Sequence, residues 1–224
     1  MSLSRAPGAT AVAVVDLAFT VLDAAPEPYG AAPTLLFRVR VSEATGATVH
    51  AIALRAQIRI EPQRRKYGGT ESDGLADLFG PTGRWGSTLR PFLWTHASTM
   101  VRGFTGDIEF DLPVPCTYDF DVAAAKYLNS LGDGEVPLNL LFSGTVFTRG
   151  SIGFGVEQVP WHLESAYRMP VRVWRDLMDA YFPGGGWIRL DRQTLDALAR
   201  YRSARGLTSW EQALGELLAA GVTP

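Results

Sequence analysis

In the segment HAIALRAQIRI (residues 50–60), Ile52, Leu54, Ala56, Ile58 and Ile60 alternate with Arg55, Gln57 and Arg59. A period of two puts the aliphatic set on one face and the polar set on the other, as in a strand with one side in a core and one in water. Just before it, LLFRVRV (35–41) alternates Leu35, Phe37, Val39 and Val41 with Arg38 and Arg40, and EATGA (43–47) supplies a turn. Two such strands joined by a short Gly-containing turn are expected to form an antiparallel hairpin.

The pattern extends outward from this pair. VAVVDLAFTV (12–21) reads as an earlier strand, and strand patterns resume at Phe92–Val101 and Asp107–Leu112, with Tyr118, Phe120 and Val122 continuing the last. LNLLFSGTVF (138–147) is a nearly continuous apolar run suited to a central strand, and Ile152–Val159 closes the set. AAAKYLNSL (123–131) reads as a short helix, and residues 61–90 as a long irregular connection. The fold class is therefore mostly β, an antiparallel β-sandwich of about seven to eight strands.

Near Trp161 the rhythm changes. Pro170 opens a helix through Phe182, striped by Val171, Trp174, Leu177, Met178 and Tyr181. Asp191 caps a second helix that ends at Gly206, and Thr208-Ser209-Trp210-Glu211 is a capping-box pattern for a third. Three short stripes bury themselves poorly alone, so this extension is expected to pack on the sandwich or on a partner. The expected organisation is a loose arm at residues 1–10, a sandwich at 11–160 and a helical extension at 161–224.

Composition narrows the function. Apolar residues make up 46% and charged residues 20% of 224, which supports a sizeable core, and the net charge of −2 disfavours nucleic-acid binding. Cys116 is the lone cysteine, so no intrachain disulfide and no Cys-based zinc site can form, in keeping with a cytoplasmic protein. The apolar run Ala11–Val15 is broken by Asp16, which argues against a signal peptide, and no stretch is long enough to span a bilayer. His50, His96 and His162 lack metal-ligand spacing, and no nucleophile elbow or phosphate loop occurs. No cofactor is expected.

Two features remain for binding. Four of six tryptophans (161, 174, 187 and 210) fall in the last 64 residues, and residues 55–66 carry five basic groups against one acid. Large aromatics anchor interfaces as well as cores, and charge asymmetry steers partners. Trp161, Tyr167, Trp174 and Trp187 are the candidate anchors, with Arg64, Arg65 and Lys66 as a steering patch. These residues favour a non-enzymatic protein-binding or assembly factor, and a homo-oligomer is compatible with them. Two alternatives stand beside it. One is a small-ligand or carbohydrate-binding sandwich with exposed aromatics. The other is a hydrolase or isomerase using Asp119, Asp121 and His162, where the two acids share a strand face.

The blocks VPCTYDFDVAAAKYLNSLGDGEVPLNLLFSGTVF (114–147) and PWHLESAYRMPVRVWRDLMDAYFPGGGWIRL (160–190) resemble an uncharacterised bacterial family of unknown function. Its members resemble accessory proteins encoded near nickel–iron hydrogenase genes. The resemblance implies an assembly or stabilising partner, with a hydrogenase subunit as its protein partner, and carries over no catalytic residue.

Overall fold

A computed structural model describes residues 15–117, 119, 122–150, 153–185 and 188–221. Among them, eight strands form two antiparallel sheets. The first sheet has the order β1-β2-β5, built from β1 (Leu17–Pro26), β2 (Thr34–Glu43) and β5 (Asp107–Pro115). The second runs β4-β3-β6-β7, from β4 (Phe92–Phe104), β3 (Val49–Ile60), β6 (Glu135–Gly150) and β7 (Gly153–Gln158), and β8 (Glu164–Pro170) also pairs with β6.

The core lies where the two inward rows meet. Leu35, Phe37, Val39, Val41, Leu112 and Val114 come from the three-stranded sheet, and Ile52, Leu54, Ala56, Ile58 and Ile60 from β3. Leu138, Leu140, Phe142 and Val146 complete the floor from β6, with Phe19 stacked on Phe142 at 4.4 Å. Alternation alone puts these side chains inside, because a strand turns successive residues to opposite faces.

Helix α5 (Val171–Tyr181) seals one side of this core with Val171, Val173, Trp174, Leu177 and Met178. Three polar contacts fix it. Trp174 Nε1 donates to Asn129 Oδ1 at 2.8 Å, Arg175 to the Leu131 carbonyl at 2.8 Å, and the Tyr181 hydroxyl to the Gly30 carbonyl at 2.6 Å. The first two reach α4 (Ala123–Ser130) and the residue that follows it.

The connection from residue 61 to 91 is ordered. It holds the short helices α1 (Gly69–Gly74), α2 (Ala76–Phe79) and α3 (Trp85–Thr88). An aromatic cluster of Tyr67, Phe79, Trp85, Phe92 and Tyr127 anchors it, with ring centroids 5.3 to 6.4 Å apart and near-perpendicular or tilted rings. The Tyr67 hydroxyl lies 2.8 Å from that of Tyr127, and burial raises the pKa of both phenols, Tyr127 to about 12. Sequence composition reads this stretch as irregular because its aromatics follow no period.

Four readings shift. β2 and β3 do not form the hairpin expected from sequence: β2 pairs with β1 and β5, β3 pairs with β4 and β6, and the turn at 43–47 crosses from one sheet to the other, because a turn signal joins two strands without deciding whether they pair. The first strand runs to Pro26, past the Val21 limit drawn from sequence. Val122 is no continuation of β5, which ends at Pro115; it precedes α4. Tyr118, Phe120 and Asp121 lie outside the described residues, as do the arm at 1–10 and Trp187. Residues 164–170, placed with the helices by sequence, are strand β8. Its inward row is Ser165, Tyr167 and Met169, and the buried Ser165 hydroxyl accepts from the Val21 N–H at 3.0 Å. A polar residue in the inward row hid the alternation.

The chain divides into two compact units, Met1–Gly186 and Trp187–Pro224. The second contains α6 (Arg192–Ala204) and α7 (Trp210–Gly221). Asp191 caps α6 through the Thr194 N–H at 2.9 Å, as its sequence predicts. The cap of α7 sits one residue later than expected: Ser209 Oγ accepts from the Gln212 N–H, and Gln212 reaches back to the Thr208 N–H. The two helices are joined by Tyr201 and Arg205 on Glu216 and by Arg202 over the Trp210 ring at 4.0 Å.

Glu43, at the end of β2, is buried and organises the turn into β3. Its carboxylate accepts from the N–H groups of Asp16, Thr45 and Ala47 and from the Thr45 hydroxyl at 2.6 Å. Burial alone raises its pKa, but the Thr45 hydroxyl and the three N–H donors outweigh that and hold it below the ordinary 4.5. A depressed carboxylate stabilises the fold above its unfolded pKa and loses that contribution as pH falls through the folded value. Glu43→Gln is therefore expected to cost about 1–3 kcal/mol at neutral pH. In thermal denaturation at stepped pH, its gap from the parent should narrow as pH drops below 4.5.

Candidate functional site

The centre of the candidate site is created by β6. This strand pairs with β3 over Leu138–Thr148 along one edge, while β7 and β8 share the other end to end. Thr145–Gly150 faces β7, and Glu135–Leu141 faces β8. The chain must turn between those two partners, and it does so at Pro160–Leu163. The turn is pinned at both ends: the Val159 N–H donates to the Gly144 carbonyl and the Phe142 N–H to the Leu163 carbonyl, each at 2.9 Å. Gly144 has φ of 142°, and a Cβ there would run into the Ala53 carbonyl oxygen of β3. Only glycine allows this close approach.

Trp161 stands at the tip of the turn, 87% exposed, with the His162 ring edge-on at 5.9 Å. Beside it lies a shallow groove of about 360 Å³ lined by Arg55, Gln57, His96, Leu141, Phe142 and Ser143. Cross-strand register assembles it. Gln57 sits opposite His96 on β4 and Leu141 on β6, and Arg55 opposite Ser98 and Ser143. These are outward positions, so the groove lies on the solvent face of the five-stranded sheet.

The other sequence candidates scatter. Arg64 and Tyr167 meet at a second hollow of about 270 Å³, with Glu61, Pro137, Leu138, Ala166 and Arg168. Arg64 Nε pairs with Glu61 at 2.9 Å, and the Tyr167 ring packs edge-on against Phe37 at 6.2 Å. Burial pushes the Tyr167 phenol up to about 12, helped by nearby Asp23. Lys66 is exposed.

Two candidates are structural. Trp174 is 1% exposed and fills the core under α5, so it offers no surface to a partner. Its helical stripe is the same pattern an interface stripe would show, and only packing separates the two. Arg65 is mostly buried, with Glu71 at 2.5 Å and the carbonyls of Asp133 and Glu135 at 2.6 and 2.8 Å. It clamps the connection to the start of β6 and is no steering group. Burial would raise the Glu71 pKa, but the Gly132 and Gly68 N–H groups and Arg65 lower it further.

Asp119 lies after β5, outside any strand, while His162 lies in the β7–β8 turn. Among the described residues no three His, Cys, Asp or Glu side chains gather as metal ligands. Burial pushes the Cys116 thiol up to about 12, so it is not a thiolate at neutral pH. No described helix is long and apolar enough to cross a membrane. Sequence alone does not single out Arg55, Gln57, His96 and Ser143 as site residues. The outward row of β3 was legible, but its neighbours on β4 and β6 depend on a register that sequence does not encode locally.

Fold and site together define a β-sandwich protein with an aromatic-tipped groove on one sheet. The chain belongs to DUF6084, a family of unknown function, whose family model matches residues 14–223. No curated protein matches it by sequence. Among solved structures it shows slight likeness to a β-glucosidase from Kluyveromyces marxianus, at 10% identity and a TM-score of 0.27. That match covers 69% of this chain and 15% of the enzyme. β-Glucosidase 3B from Thermotoga neapolitana, in complex with α-D-glucose, gives 12% identity and a TM-score of 0.23, covering 69% and 17%. Likeness this slight carries no argument about the present chain.

Three substitutions test the placement. In urea unfolding, Trp174→Ala is expected to cost about 3–5 kcal/mol, and Trp161→Ala no more than about 0.5 kcal/mol. Gly144→Ala is expected to cost about 3 kcal/mol through the forced clash and backbone strain, read in the same assay.

Proposed function

We propose that this protein is a non-enzymatic binding or assembly factor of the cytoplasm that holds a protein partner at the β7–β8 turn. The observation that supports this most is Trp161. An indole 87% exposed on a turn pinned by backbone hydrogen bonds costs hydration and gains nothing for the fold. Tryptophan is enriched among interface anchors because one flat side chain buries a large area at little entropic cost. Because the turn's backbone is already pinned, only the indole's own rotamer freedom is lost when a partner covers it. The candidate partner is a subunit of a nickel–iron hydrogenase, a choice that rests on the resemblance of blocks 114–147 and 160–190.

The groove beside Trp161 favours a second reading, a small polar ligand such as a sugar. An exposed indole next to Arg55, Gln57, His96 and Ser143 offers a stacking face and hydrogen-bonding groups around one space. The volume, about 360 Å³, is at the lower end of ligand sites.

Tagged protein purified from its native host tests the first reading. A hydrogenase subunit is expected to co-purify with the parent and to be lost with Trp161→Ala, whose fold should be intact. Co-purification of no specific protein, or equal recovery by both forms, counts against partner binding at this turn. Saturable binding of monosaccharides in calorimetry, abolished by the same substitution, would favour the second reading.

A further inference from the structure

The outward arginines of β2 are paired across their ladder and those of β3 and β4 are not, although Arg168 on β8 of the larger sheet pairs with Glu135 at 3.6 Å. On the three-stranded sheet, Arg38 and Arg40 of β2 stand opposite Asp111 and Glu109 of β5, with N–O distances of 3.4 and 2.5 Å. That face is neutralised by its own register. On the five-stranded sheet, Arg55 stands opposite Ser98 and Ser143, Arg59 opposite Leu93 and Asn139, and Arg102 opposite Ala51. Among the described residues none of these three arginines makes an ion pair. The groove at Trp161 has no acidic lining residue. Glu164 of β8 stands opposite Leu141, and its carboxylate accepts from Asn139 at 2.9 Å.

We infer that this face receives an extended acidic segment of a partner protein, with Arg55 and Arg59 taking its carboxylates and Trp161 covering an apolar side chain. The inference rests on the binding role proposed above and names the chemistry of the partner. Arg55 and Arg59 are four residues apart on one strand, which separates them by roughly 13 Å. An extended peptide laid along β3 repeats its same-face carboxylates at the same pitch, whereas a helix brings residues four apart within about 6 Å. Between the two arginines, Gln57 both donates and accepts hydrogen bonds, which suits a peptide main chain better than a phosphate, which only accepts. Three cations on a chain of net charge −2 are too few for the phosphate neutralisation that nucleic-acid binding needs. Uncompensated guanidinium groups attract acidic segments over about one Debye length and fix their direction on arrival.

The test uses the full chain and fluorescein-labelled poly-L-glutamate, read by fluorescence anisotropy at low and at physiological salt. The parent is expected to bind, more weakly as salt rises. Arg55→Gln with Arg59→Gln should weaken binding by about tenfold. Arg38→Gln with Arg40→Gln, on the neutralised face, should leave it within about twofold. Thermal denaturation should show both double variants folded. If the Arg55/Arg59 variant is unfolded, charge-keeping Lys substitutions at both sites should restore binding, and their failure overturns the assignment. No binding by the parent at low salt, or equal binding by both double variants, also overturns it. So does stronger competition by polygalacturonate or oligothymidylate than by unlabelled polyglutamate. The co-purification assay separates this from the broader reading. A partner lost with Trp161→Ala but kept with Arg55→Gln/Arg59→Gln removes the acidic-segment inference alone, and a partner kept by both removes the binding role at the turn.

Discussion

The pairing of β6 with three strands at once governs this molecule. One edge is given wholly to β3, and the other is divided between β7 and β8. The division forces the chain through a turn beside Gly144, where β6 and β3 approach too closely for any side chain. The inward row of β6 supplies the floor of the core, and its outward row supplies Leu141 and Ser143 of the groove. Core, turn and groove are consequences of one set of backbone hydrogen bonds.

Buried polar groups finish what the ladders begin. Glu43 collects three N–H donors at the β2–β3 turn, and the Arg65–Glu71 pair ties the long connection to the residues that lead into β6. Each closes a place where backbone groups would otherwise lose water without replacement. Ser165 does the same for the β1 strand. Such groups add a unique geometry to a core whose aliphatic residues alone would tolerate several.

Charge is then distributed by register and not by sequence neighbourhood. The acids of residues 107–111 and the arginines of β2 are far apart in the chain and cancel across a ladder. The basic run at 64–66, which looks like a patch when read linearly, is mostly spent internally by Arg64 on Glu61 and by Arg65 on Glu71. Arg55, Arg59 and Arg102 stand opposite neutral residues on their sheet and make no ion pair among the described residues.

By itself the sequence determined the strands with clean alternation, β2, β3 and the central apolar run of β6, the helix stripe of α5 and the Asp191 cap. These signals are local, because face and cap are set within a few residues by backbone geometry. It left β8 unseen, because Ser165 breaks the inward row, and could not separate Trp174 from Trp161, because a stripe or an isolated indole looks the same whether covered or bare. Tertiary structure decided those matters, and it also decided which polar residues share the groove. The physical reason is that burial and cross-strand register arise from partners distant in the chain, whose identity no local window contains.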